Sequence, residues 1–220
     1  MKYRSVFDII GPVMIGPSSS HTAGAARIGS AARSLFGRKP QRVTITLYGS
    51  FAKTYRGHGT DIAIVGGLLG FDTFDERIVQ SLRIAHDEGV EVTFIESDET
   101  PDHPNTARLL LEDELGTAEV VGISIGGGKM EIVELNGFEL RLSGAAPALL
   151  IMHHDRYGAI AKVATVLAEN KINVGYMQVS RKERGTHQAL MIIETDQSVD
   201  KKVQGEIEKL EDITSLTVLS

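Results

Sequence analysis

Apolar and polar residues alternate strictly over 42–48, with Val43, Ile45 and Leu47 set against Thr44 and Thr46. That period of two predicts a strand with one face in a core. The same reading predicts strands over 90–95, 106–111, 118–125 and 129–135, the last two joined by a turn at Gly126, Gly127 and Gly128. Helical spacing governs the segments between. Residues 5–10 form a short amphipathic helix, 21–36 a small-residue helix stopped by Gly37, and 60–69 a helix that tolerates the Gly66-Gly67 pair. Over 75–88, Ile78, Leu82 and Ala85 share one face of an amphipathic helix ended by Gly89. Residues 11–20, with Pro12, Gly16, Pro17 and three serines, read as a loop.

The pattern changes after 142–147, a stretch containing Ser143, Gly144, Ala145 and Ala146 that reads as a linker. Beyond it come a strand over 148–153 and a helix over 158–170 with Ile160, Val163, Val166 and Leu167 on one face. Strands over 174–180 and 188–194 flank a turn at 183–185, and a helix over 200–210 and a strand over 215–219 complete the unit. Strand–helix–strand–strand–helix–strand is the ferredoxin-like order. The expected fold class is therefore α/β in the α+β sense: a mixed α/β domain over 1–142, then a ferredoxin-like βαββαβ domain over 148–220.

Composition narrows the function. Apolar residues make up 42% and charged residues 24%, which suits a soluble globular chain. There is no apolar run of about 18 residues and no secretion signal, so the expectation is a cytoplasmic protein with no membrane partner. Net charge is −6 and no basic stripe carries interleaved aromatics, so no nucleic-acid partner is expected. Cysteine is absent, which removes disulfides, a nucleophilic thiol and thiolate ligation of an iron–sulfur cluster by this chain.

The candidate chemistry lies in polar loops. Ser18, Ser19, Ser20, His21 and Thr22 follow Gly16-Pro17 where a helix is expected to begin, a place whose free backbone N–H groups suit an anion. His21 adds a proton-transfer group, although a serine there can also simply cap the helix. In Gly57-His58-Gly59-Thr60-Asp61 the flanking glycines leave the imidazole accessible. Asp61 could orient an imidazole or cap the helix, and Thr60 could act as N-cap. His103-Pro104-Asn105 offers an imidazole and an amide in an extended segment that also reads as a surface turn. None of these has the spacing of a self-contained metal site. In the second domain His153, His154, Asp155, Gly158 and Asn173 gather around the first strand end and the following helix, as an effector site or as a solvated loop with Asp155 as cap.

The run Gly16 to Gly29 (GPSSSHTAGAARIG), with Phe7-Asp8 ahead of it, resembles the signature of iron–sulfur-dependent L-serine dehydratases. Gly49-Ser50-Phe51-Ala52-Lys53-Thr54, GHGTD at Gly57 to Asp61 and His103-Pro104-Asn105-Thr106 resemble further blocks of that family in the same order. Ile151 to Asp155, Gly158 and Ile172-Asn173-Val174 resemble ACT-domain blocks, departing from the common form in lacking Pro before Gly158. The resemblance implies the β subunit of the split bacterial form, with an allosteric-substrate-binding-type α/β domain followed by the ACT domain. It implies conversion of L-serine to pyruvate and ammonia, with a [4Fe–4S] cluster held by the cysteines of a partner α subunit and no metal ligands in this chain. It also implies His58 as base, with His21 and Thr60 beside it in the catalytic group. Ser18, Ser19, Ser20, Thr22, Asp61, His103 and Asn105 would line the substrate pocket, and His153, Asp155, Gly158 and Asn173 would form an ACT effector site. ACT domains commonly pair through their sheets, so self-association is expected too. The alternative is a non-catalytic amino-acid-binding module of the kind found in the regulatory half of some phosphoglycerate dehydrogenases.

Overall fold

A computed structural model describes residues 13–182 and 187–219. The helix expected over 5–10, Phe7-Asp8 and the turn at 183–185 lie outside these. The chain packs as two compact units that divide between Asn136 and Gly137, ahead of the stretch read as a linker. Among the described residues no helix is long and apolar enough to cross a membrane.

In the first unit a π-helical turn, Ser19–Ala23, runs directly into α1 (Gly24–Phe36). Strand β1 (Arg42–Tyr48) leads into α2 (Gly49–His58) and α3 (Thr60–Leu68). A 3₁₀ turn (Glu76–Gln80) and α4 (Ser81–Asp87) precede β2 (Glu91–Glu96), β3 (Asn105–Asp113), β4 (Gly116–Gly126) and β5 (Lys129–Leu135). Within this unit the strands lie in the order β2-β1-β3-β4-β5, with β1 parallel to β2 and the other pairs antiparallel. The alternation seen in the sequence is the division between faces. Val43, Ile45, Leu47, Leu109, Leu111, Val120 and Ile132 are buried under the helices. On the other face Arg108 ion-pairs with Glu119 across strands at 2.6 Å.

Two corrections apply to the helices. No element was expected over 51–56, and Gly57 to Asp61 was read as a polar loop, yet 49–58 form α2, because Phe51, Ala52 and Tyr55 recur at helical spacing and bury one face. The single helix expected over 75–88 is a 3₁₀ turn followed by α4; Ile78 and Ala85 are buried, but Leu82 is 38% exposed because the change of helical pitch rotates it out of the shared face.

The tightest packing in the unit joins α1 and α3. Helix α3 is apolar all round and nearly all of it is buried. A Cβ built on Gly67 would stand 1.9 Å from the carbonyl oxygen of Ala26, and one on Gly29 would stand 2.1 Å from that of Ile64. Each helix therefore lets the other's backbone in through a glycine.

The second unit contains β6 (Phe138–Leu142), which the sequence reading missed, then β7 (Ala148–His154), α5 (Ala159–Glu169), β8 (Val174–Arg181), β9 (Gln188–Thr195), α6 (Lys201–Glu208) and β10 (Ile213–Leu219). The antiparallel order β10-β7-β9-β8 is the ferredoxin-like one expected. Leu149, Ile151, Met191 and Ile193 of the sheet meet Val163, Leu167, Val203 and Ile207 of the helices in one core. Ile160, expected on the buried face of α5, is 45% exposed because it lies in the first turn beside Gly158 rather than over the sheet. Strand β6 packs beside β8 and β9, with Phe138, Leu140 and Leu142 buried. At five residues it is too short for alternation to stand out.

Replacing Gly67 with Ala tests the α1–α3 contact. Helix propensity alone favours Ala by about 1 kcal/mol, but the clash with a backbone carbonyl cannot relax cheaply. The expected net loss in urea unfolding is about 2 kcal/mol or more. Gly205→Ala, where a Cβ meets nothing within 4 Å, is expected to be neutral or stabilising in the same measurement.

Candidate active site

The site is built where the π turn meets the α2–α3 junction. Ser18, in extended conformation, caps the turn by accepting from the backbone N–H of His21 at 3.2 Å. The N–H of Gly24 donates to the Ser19 carbonyl, the wide spacing that defines a π turn and that recurs at functional sites. His21 is thereby thrown to the inside. Its Nδ1 lies 3.1 Å from Ser20 Oγ and 3.4 Å from Ser18 Oγ, and its Nε2 lies 3.0 Å from Ser50 Oγ. Phe51 meets the ring edge-on at 5.3 Å.

His58 is the last residue of α2. Gly59 follows in the left-handed region at φ 66°, a conformation costly for a residue with a Cβ, and α3 restarts at Thr60. This break leaves the His58 ring 4.9 Å from that of His21, centroid to centroid, with 36° between the planes. Thr22 donates its hydroxyl to the His58 carbonyl at 3.1 Å and so ties the π turn to the junction. His58 Nδ1 and Thr60 Oγ1 are buried without a partner, and Thr60 is fully buried. Burial, and then the neighbouring His58, hold the His21 imidazole below its ordinary pKa. With both ring nitrogens engaged by hydroxyls, His21 is held in a fixed orientation.

The loop before β3 closes the other side. The Pro104 carbonyl accepts from the N–H of Ser50 at 2.6 Å. His103 serves the turn: its Nδ1 accepts from the Asn105 N–H at 3.2 Å and its carbonyl from Thr106 Oγ1 at 2.6 Å. Asn105 is half-buried, its Nδ2 donates to the Ser124 carbonyl at 3.4 Å, and its Oδ1 has no partner.

The structure thus brings Ser18, Ser20, His21, Thr22, His58 and Thr60 to one place, with Ser19 in the turn itself. Asp61 stands in the first turn of α3 and, among the described residues, hydrogen-bonds neither imidazole. Thr60 is not the cap; Gly59 is, without a side-chain bond. Ser50 belonged to the Gly49-Ser50 block named from sequence; Ser124 was not singled out, its one signal being a serine at an inward position of the β4 alternation.

In the second unit His153 lies near the end of β7, Asp155 and Gly158 precede α5, and Asn173 precedes β8. His153 is buried, its Nδ1–H donating to the His154 carbonyl at 2.9 Å and its Nε2 left without a partner. Asp155 does not cap α5; it pairs with Arg181 at 2.6 Å, and Gly158 takes the cap position. Asn173 donates to Asp196 at 2.6 Å.

Fold and site together define an α/β scaffold with a hydroxyl-and-imidazole centre, continued by a ferredoxin-like unit. The serine dehydratase beta chain family model matches residues 5–83, and the ACT domain model matches residues 148–212. The chain is 61% identical over 220 residues, the whole of both proteins, to a probable L-serine dehydratase, beta chain, of Bacillus subtilis (strain 168). It is 35% identical over 213 residues, 96% of each, to the L-serine dehydratase, beta chain, of Peptoniphilus asaccharolyticus. Over 195 residues, 89% of this chain and 37% of the relative, it is 27% identical to a D-3-phosphoglycerate dehydrogenase of Bacillus subtilis (strain 168). The chain belongs to the serine dehydratase β-chain family and carries an ACT domain.

The two causes acting on His21 can be separated by proton NMR titration. In the native chain His21 is expected to titrate below 6.5. In His58→Asn the charge contribution disappears while burial, the larger cause, remains, so the midpoint should rise without reaching 6.5. Because the folded-state value is depressed, this imidazole weakens the fold as pH falls below 6.5 and has no such effect above it.

Proposed function

We propose that this chain is the β subunit of an L-serine dehydratase that acts in the cytoplasm with a cysteine-bearing α subunit. The observation that carries the reading is the pairing of a fully hydrogen-bonded His21 with a His58 whose Nδ1 has no partner, 4.9 Å apart. The full-length 61% identity to a β chain supports the substrate. Domain boundaries at 1–142 and 148–220 belong to the same reading, as do an effector site at His153, Asp155, Gly158 and Asn173 and self-association through the ACT sheets.

Removing the α proton of serine requires a nearby base, since that proton is weakly acidic. His58 is that base, projecting from a helix end that Thr22 and Gly59 hold in place. Ser18, Ser19 and Ser20 give the substrate carboxylate hydroxyl donors, with Thr22, Asp61, His103 and Asn105 around the pocket. Loss of the β-hydroxyl as water leaves aminoacrylate, which tautomerises and hydrolyses to pyruvate and ammonia.

The residues of this chain do not make a ligand set for an iron–sulfur cluster. It has no cysteine, both nitrogens of His21 are engaged, and among the described residues no three His, Asp or Glu side chains gather as metal ligands. The [4Fe–4S] cluster is assigned to the α subunit, where it would serve as Lewis acid for the departing hydroxyl.

Pyruvate formation from L-serine is expected only after anaerobic mixing of this chain with its cysteine-bearing partner. His58→Ala is expected to lower turnover of the mixture about 100-fold or more. Unchanged turnover in that variant would remove His58 from its role.

A further inference from the structure

Among the described residues, four buried side-chain atoms around the π turn lack a hydrogen-bond partner: His58 Nδ1, Thr60 Oγ1, Asn105 Oδ1 and Ser124 Oγ. The first two belong to the segment assigned to proton transfer. The other two come from the sheet and are not yet explained. The β3–β4 register pairs Thr106 with Ile123, which sets Asn105 opposite Ser124, and Gly49 bridges Asn105 from the other side. Directly opposed residues of an antiparallel pair turn their side chains to the same face. Here it is the face beneath α1. Gly24, the first residue of that helix, lies so close that a Cβ on it would be 2.1 Å from Ser124 Oγ.

Asn105 gives one Nδ2 N–H to the Ser124 carbonyl, and its acceptor oxygen Oδ1 is the buried atom without a partner among the described residues. Ser124 is fully buried and can accept as well. A group that satisfies the Asn105 oxygen must bring a donor, and neither atom meets solvent. A carboxylate brings none. An ammonium brings three.

We infer that Asn105 and Ser124, facing each other across β3 and β4, form the subsite for the α-ammonium group of the amino-acid substrate. This rests on the L-serine reading above and deepens it. It also separates the substrate's groups: the carboxylate goes to the serines of the π turn, the α proton to His58 and the hydroxyl to the partner chain.

The test uses the assembled complex and two probes that differ only in the amino group: L-serine, and 3-hydroxypropanoate as competitive inhibitor. Asn105→Ala and Ser124→Ala are each expected to raise KM for L-serine about tenfold and to leave the inhibition constant of 3-hydroxypropanoate within about twofold. Asn105→Asp, which keeps an acceptor at that place, is expected to retain a KM closer to the native value than Asn105→Ala does. Thermal unfolding of the chain alone gives a second readout. Ser124→Ala removes a hydroxyl with no partner, so its Tm should stay equal or rise. Equal weakening of both probes, an unchanged KM for L-serine, or a lowered Tm with unchanged KM each overturns the subsite and makes the pair structural. A native complex that neither binds nor turns over L-serine overturns the dehydratase reading, and the subsite falls with it. Native turnover with unaltered discrimination in both variants overturns the subsite alone.

Discussion

The contact on which the first unit depends is the meeting of α1 and α3 through glycine. Gly29 admits the carbonyl of Ile64 and Gly67 admits that of Ala26, at separations no side chain can occupy. Packed interiors do not yield continuously, so this crossing fixes the two helices against each other. It also fixes what enters them: the π turn before α1 and the His58–Gly59–Thr60 junction before α3. The hydrogen bond from Thr22 to the His58 carbonyl joins those two entries. The distance between the imidazoles is thus set by backbone packing in the core rather than by flexible loops.

That origin shapes the electrostatics. Burial, and then the neighbouring His58, lower the His21 pKa, and serine hydroxyls at both nitrogens fix its orientation as well. The result is one ordered imidazole and a second, 4.9 Å away, with a nitrogen unpartnered among the described residues. The two histidines become chemically different through their surroundings.

Much of this was legible in the sequence, and the exceptions have physical reasons. Val43, Ile45 and Leu47 announced β1, because alternation on a sheet covered on one side leaves an unambiguous period. The ferredoxin-like order could be read for the same reason, from the changes of period around Val163 and Leu167. Helix α2 was hidden because Gly49, Gly57 and Gly59 suggested turns, while its helical character came from burying Phe51 and Tyr55, a tertiary effect. Leu82 and Ile160 were misplaced because each sits where a helix changes pitch or begins, so the ideal angular spacing does not hold. At the site, the serines, His21, His58 and Asn105 could be named from composition of the loops. Ser50 stood in the Gly49-Ser50 block, though its bond to His21 was not legible, and Ser124 could not be named, since it is defined by a partner across the β3–β4 pair. The expected cap role of Asp155 failed because Arg181, distant in sequence, competes for the carboxylate and offers a forked, charged partner.

A buried polar atom without a partner costs about 1–3 kcal/mol, and a fold that keeps several around one turn is carrying a load its own chain does not relieve. In a purely structural module, apolar residues at Thr60 and Ser124 would remove that cost at no loss, since both positions are fully buried. Their retention makes sense when the partners arrive with substrate and with a second chain. The absence of cysteine points the same way. On the proposed reading this chain would hold the proton-transfer group and the hydroxyls, while thiolate chemistry would fall to the partner, since this chain has no cysteine.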